Sequence, residues 1–227
     1  MAKRPDISLR PADLQRFGRE AGMQVYRQGG KRVFDLFVAF CAAPFVVPAI
    51  LLLAALVRFD GGSAFYTQHR VGRNGRLFRC YKLRSMRPDA DAHLERLCRE
   101  DPKIAAQWHR YQKLDHDPRI TPLGHFLRAS SLDELPQFFN VVKGDMSFVG
   151  PRPFLPSQQS LYEAARGRAY FEMRPGITGL WQVSGRGVTS FTDRVRYDQL
   201  YHRKLSLGTD LRLMLRTTVV VLRSTGQ

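Results

Sequence analysis

Two neighbouring carboxylates, Asp133 and Glu134, stand in the segment Arg128-Ala-Ser-Ser-Leu-Asp-Glu-Leu-Pro136. Proline is comfortable in the first turn of a helix and not deeper, so both acids fall near a helix N-terminus. The positive end of the helix dipole favours their ionised forms there. An ionised Asp133 can attack phosphorus, and Glu134 beside it can hold Mg²⁺. A second reading is structural: Ser131-x-x-Glu134 fits a capping box, in which Glu134 bonds the backbone at Ser131. Candidate phosphate clamps accompany the pair. Lys82 and Arg84 alternate and would share one face of a strand. Arg152 is set between Pro151 and Pro153, and Arg174 precedes Pro175-Gly176. Such stiff turns hold an arginine fork at low entropic cost, which suits bidentate phosphate contact. The plain alternative is a solvated surface arginine, the usual fate of most of the 36 basic residues.

The elements that must position these groups read as α+β, mainly helical with a small sheet. Phe65–Tyr81 alternates around Gly72-Arg73-Asn74-Gly75, a hairpin signal. The same four residues match the GxxG loop of a KH module. A hairpin turn is the plainer reading beside a long apolar run, and no nucleic-acid partner is expected. A helix is expected over 89–115, and a short one over Pro136–Lys143, ended by Gly144. A strand is expected over Met146–Val149 and a helix over Gln158–Phe171. A Gly-rich loop and strand follow over Arg174–Arg186, then amphipathic helices over Thr189–Leu205 and Asp210–Arg223. Asp115-His116-Asp117 reads as loop punctuation before Pro118 rather than a metal site. No Walker A, GxSxG or HExxH motif is present.

Leu36 to Val57 is a run of 22 residues without a charged or strongly polar side chain. As a helix it would be about 33 Å long, against a bilayer core of about 30 Å. Pro44 and Pro48 interrupt it, and both flanks are basic. The positive-inside rule wants both flanks in the cytoplasm. A helix broken near Pro44 and Pro48 that enters and leaves by one leaflet satisfies this; a kinked span is the alternative. The organisation expected is a polar arm (1–30), a re-entrant membrane helix (31–58) and a cytoplasmic domain with amphipathic membrane-surface helices (59–227). Three cysteines without a CxxC fit a reducing, cytosol-facing location. The net charge of +16 asks for anionic partners, among them an anionic phospholipid surface.

In order along the chain, several long motifs resemble the bacterial sugar transferase family, the monotopic polyprenyl-phosphate phosphoglycosyl transferases. They are Lys31-Arg-Val-Phe-Asp35, Phe65-Tyr66 through Lys82-Leu-Arg-Ser-Met86, and Ser131-Leu-Asp-Glu-Leu-Pro-Gln137. Lys143-Gly-Asp-Met-Ser-Phe-Val-Gly-Pro-Arg-Pro153, Arg174-Pro-Gly-Ile-Thr-Gly179 and Trp181-Gln-Val-Ser-Gly-Arg186 complete them. The short arm and Asp60-Gly-Gly-Ser63 look most like the exopolysaccharide-initiating galactosyl-phosphate transferases. The resemblance implies a monotopic protein of the bacterial inner membrane with its catalytic domain facing the cytoplasm. It implies that Asp133 attacks the β-phosphorus of a UDP-sugar, expels UMP and forms an aspartyl phosphosugar. Undecaprenyl phosphate then attacks that intermediate. Glu134 would ligate Mg²⁺; Lys82, Arg84 and Arg152 would neutralise phosphate charge. Arg128 would lie near the lipid phosphate and Asp198 near the site. The family's helix break falls on Pro48, preceded here by Val47 instead of serine. No residue selects between galactose and glucose, and a homo-oligomer is left open.

Overall fold

The apolar run forms one long helix. A computed structural model describes residues 22–59, 61–111, 114, 117–184 and 190–222. In it, helix α1 spans Lys31–Arg58 and is entered through a π-helical turn, Tyr26–Gly30. The segment expected as a polar arm is therefore helical from residue 22 onward; residues 1–21 lie outside the described residues. Gly22–Arg58 is long and apolar enough to cross a membrane. Pro44 and Pro48 both lie inside α1, and the helix continues through them. Each proline removes one backbone donor, freeing the carbonyls of Phe40 and Pro44. Residues four apart lie on one face, so the helix can open on that face without unwinding.

Both ends of α1 dock on the same domain. Near its start, the fully buried Asp35 accepts hydrogen bonds from Ser147 Oγ (2.9 Å) and Phe148 N (3.1 Å). Ala39 and Ile50 pack on Phe138. Near its end, Ala54 and Val57 pack on Leu83 and Leu127. The outer face is left bare: Phe37, Phe40, Phe45, Leu51 and Leu52 are 63–80% exposed.

The hairpin forms as the alternation predicts. Strands β1 (Phe65–Val71) and β2 (Leu77–Leu83) are antiparallel, with Tyr66 opposite Lys82 and Arg70 opposite Phe78. Asn74 (φ 58°) and Gly75 (φ 73°) make the turn. The helix expected over 89–115 is two, α2 (Ala90–Glu100) and α3 (Pro102–Tyr111). Pro102 forces Asp101 into an extended conformation (φ −130°, ψ 108°) and divides them. Helix α4 (Pro122–Ala129) is capped by Thr121, whose Oγ1 accepts from Gly124 N. Helix α5 (Gln137–Lys143) ends at Gly144 (φ 92°).

Strand β3 (Ser147–Val149) pairs in parallel with β4 (Gly176–Thr178), so the described residues hold two two-stranded sheets instead of one. Gly150 and Gly176 allow that approach: a Cβ on Gly176 would lie 2.1 Å from Gly150 N. Between them lie α6 (Gln159–Ala164) and α7 (Ala169–Glu172), divided at Arg166 (φ 60°) and Gly167. The chain closes with α8 (Leu180–Ser184), α9 (Arg194–Arg203) and α10 (Leu207–Leu222). Gly185 and Arg186 of the Gly-rich segment, Asp60, and Asp115-His116 lie outside the described residues. The core near the carboxylates is aromatic: Phe154, Tyr162 and Tyr170 stack and cross at 4.4–5.5 Å between ring centres.

Candidate active site

Asp133 and Glu134 occupy a one-turn 3₁₀ segment, Leu132–Glu134, between α4 and α5. Ser131 enters it in the left-handed conformation (φ 58°), a strained state for a residue with a Cβ. That geometry turns its side chain away from a capping role, and it makes no cap hydrogen bond. Glu134 N donates to Ser131 O at 3.2 Å, but the Glu134 side chain does not reach back to Ser131 N. Its Oε1 accepts instead from Lys82 Nζ at 2.8 Å and Arg152 Nη2 at 3.0 Å. The capping-box reading is thus set aside in favour of a charged cluster.

Lys82 reaches the pair from β2 and lies 3.6 Å from Asp133 Oδ2. Arg152 comes from the Pro151–Pro153 turn that follows β3. The two acids are held differently. Burial pushes the Asp133 carboxyl up; Lys82 and Arg128 pull it down, Glu134 adds a further push, and the net shift is upward. Burial also acts upward on Glu134, but Arg152 and Lys82 outweigh it and hold the group at about 2. Glu134 is therefore an anion throughout the physiological range, while Asp133 is the acid more ready to carry a proton.

The remaining candidates divide. Arg128, in the last turn of α4, donates from Nε to Ser85 Oγ at 2.8 Å and is one of the charges acting on Asp133. Arg84 and Arg174 do not join the pair. Arg84 Nη2 donates to Val57 O at 2.9 Å, and Arg174 Nε to Gly144 O at 2.9 Å. Each serves the carbonyl end of a helix, α1 and α5, where a cation is favoured. Arg32 does the same for α5, donating to Val141 O and Val142 O. Asp198 is buried in the aromatic core, accepting from Tyr162 Oη at 2.8 Å, and burial pushes it up to about 7.

Three groups enter the site that the sequence did not reveal. Arg70 and Gln137 line the recess that holds Lys82, Glu134 and Arg152, with Cys80 beneath. Arg194 stands over Trp181, close enough to Arg152 and Arg70 to feel their charge. Arg70 carried a usable signal: hairpin register puts residues 66, 68 and 70 on the face of 78, 80 and 82.

The donor set bears on a metal. Among the described residues no group of three His, Cys, Asp or Glu side chains forms a metal cage. Two adjacent carboxylates do suit Mg²⁺, which commonly takes one or two carboxylates and completes its shell with substrate phosphate and water.

The bacterial sugar transferase family profile matches residues 26–224. The chain is 46% identical over 196 residues to the UDP-galactose-lipid carrier transferase of Erwinia amylovora, covering 86% of this chain and 41% of that one. It is 44% identical over 196 residues to the undecaprenyl-phosphate galactose phosphotransferase of Salmonella typhimurium, with the same coverage. The exopolysaccharide production protein ExoY of Rhizobium meliloti is 44% identical over 197 residues, covering 86% of this chain and 87% of that one. The chain thus spans less than half of some curated relatives and most of others. A carboxylate pair clasped by Lys82 and Arg152, within a profile match covering nearly the whole chain, makes this protein a member of the bacterial sugar transferase family.

Proposed function

We propose that this protein transfers a sugar phosphate from a UDP-sugar to undecaprenyl phosphate, releases UMP, and so begins exopolysaccharide assembly at the membrane. The observation that carries the reading is the Asp133–Glu134 pair with Lys82 and Arg152 around it. The relatives' names supply the galactose, the nucleotide donor and the lipid acceptor. Asp133 is the nucleophile. Its raised proton affinity makes it a more basic attacking group than Glu134. Lys82, between the two carboxylates, draws Asp133 toward the phosphorus and neutralises a phosphate oxygen. Arg152 presents a rigid fork to the same anion. Undecaprenyl phosphate then displaces the sugar phosphate from Asp133. Glu134 would hold Mg²⁺, which when bound offsets phosphate charge.

The membrane reading rests on α1. Its bare aromatic face suits lipid, and both ends resting on one domain support entry and exit through a single leaflet. The basic flanks favour the cytoplasmic side of the inner membrane and contact with anionic phospholipid. Cysteines placed at Gln28 and Gly61, with Cys41, Cys80 and Cys98 replaced, are expected to label with an impermeant maleimide only in inside-out vesicles. Labelling of one position from the outside would establish a through-going span.

The chemistry is tested with purified protein, undecaprenyl phosphate and a panel of UDP-sugars. UMP release is expected from UDP-galactose or UDP-glucose, lost in chelator and restored by Mg²⁺. Release of UDP instead of UMP would overturn the reading.

A further inference from the structure

The carboxylate pair stands between two unlike surroundings. On Asp133's side is Arg128, bonded to Ser85, on a helix whose Leu127 packs against Val57 of α1. On Glu134's side are Arg152, Arg70 and, beside them, Arg194. The Arg194 guanidinium lies 4.0 Å from the centre of the Trp181 ring and 4.9 Å from that of Phe191. Its Nε is buried without a hydrogen-bond partner. The apolar cluster on this side, built on Phe154, Tyr162 and Tyr170, contains no residue of α1. One end of the site therefore faces the membrane helix and the other faces away from it.

Charge is unbalanced at the far end. Lys82 and Arg152 share Glu134. Among the described residues no carboxylate forms an ion pair with Arg70 or Arg194. Burial and the neighbouring Arg152 hold Arg194 down at about 10, and burial lowers Arg70 as well. Asp198, the acid whose charge acts on Arg194, is bonded to Tyr162 and is itself partly neutralised by burial. Like charges gathered out of water are unfavourable until an anion joins them.

We propose that Arg70 and Arg194 join Arg152 in binding the nucleotide's own phosphate, the leaving end of the UDP-sugar, on the side of the carboxylate pair away from α1. The assignment rests on the UDP-sugar reading above and adds an orientation to it. As the bond from Asp133 Oδ to phosphorus forms, the bridging P–O bond breaks and its electron pair stays on the UMP oxygen. Negative charge grows on that oxygen, beside the three guanidinium groups, so their stabilisation increases along the reaction. Arginine suits the task because its planar fork gives phosphate two parallel donors.

The test uses the full chain in lipid nanodiscs, with UMP and inorganic pyrophosphate as calorimetric probes and KM measured for each substrate. Arg70→Ala and Arg194→Ala are expected to weaken UMP about 10- to 100-fold and raise the UDP-sugar KM similarly, leaving the undecaprenyl phosphate KM within about twofold. Arg194→Lys, which keeps a cation over Trp181 but loses the fork, is expected to fold and still to bind UMP more weakly; it is read in place of Arg194→Ala if that variant does not fold. Folded variants with wild-type UMP affinity, or with only the undecaprenyl phosphate KM raised, overturn the assignment. A wild-type protein that neither binds UMP nor releases it overturns the donor reading itself.

Discussion

Asp133→Asn is expected to lower UMP release by about 10⁴-fold or more, as removal of a covalent nucleophile does elsewhere. Asparagine keeps the shape of the side chain and loses the attacking oxygen anion. The fold should not suffer. Burial already disfavours the Asp133 charge, so removing it leaves the thermal midpoint unchanged or slightly higher. The decisive measurement is intact mass after a short incubation with UDP-sugar and no acceptor. Wild-type protein should gain one sugar phosphate and the variant none; an adduct on Asp133→Asn would sink the covalent mechanism. In the metal-free protein, burial raises the Asp133 carboxyl above the ordinary aspartate range, so an NMR titration without Mg²⁺ is expected to show it protonating at a higher pH than Glu134.

Asp210→Ala is expected to produce the largest loss of stability. Asp210 is fully buried and accepts from Tyr26 Oη (2.7 Å), Lys31 Nζ (2.6 Å) and Tyr201 Oη (2.7 Å). Alanine leaves the Lys31 ammonium and the Tyr26 hydroxyl short of an acceptor, while Tyr201 Oη keeps Val149 O at 3.1 Å, at a cost of about 3–5 kcal/mol. The thermal midpoint in nanodiscs should drop by about 10 °C. Asp210→Asn keeps an acceptor for the tyrosines and should fall between. A midpoint for Asp210→Ala within about 2 °C of wild type would show that the network is not what ties α10 to the start of α1.

What the sequence disclosed about this fold was mostly local. The β1–β2 hairpin followed from alternation and Asn74-Gly75, and Arg152 from two fixed prolines. The long apolar helix α1 followed from 22 residues without a charged side chain. Asp133 and Glu134 stood out through adjacency and Pro136. What remained hidden depends on partners distant along the chain. The β3–β4 pairing joins Ser147 to Gly176, and no local periodicity announces it. Arg84 looked like a phosphate clamp through its alternation with Lys82, and Arg174 through its stiff turn, yet a helix carbonyl end competes for each fork. Arg194 looked like any basic residue on a helix, since its meaning comes from Trp181, Arg152 and Arg70. Ser131 fits the capping pattern as a letter; its left-handed backbone defeats the pattern in space.

The strand that supplies Lys82 also supplies Arg84. Backbone pairing continues past β2, with Arg84 N donating to Ala64 O at 2.9 Å. Two residues along an extended chain span about 7 Å. One side chain grips the Asp133–Glu134 pair and the other grips the last turn of α1. On the function proposed above, the strand works as a ruler: it would fix the height of Asp133 above the end of α1, and with it the depth at which a lipid headgroup must float to be reached.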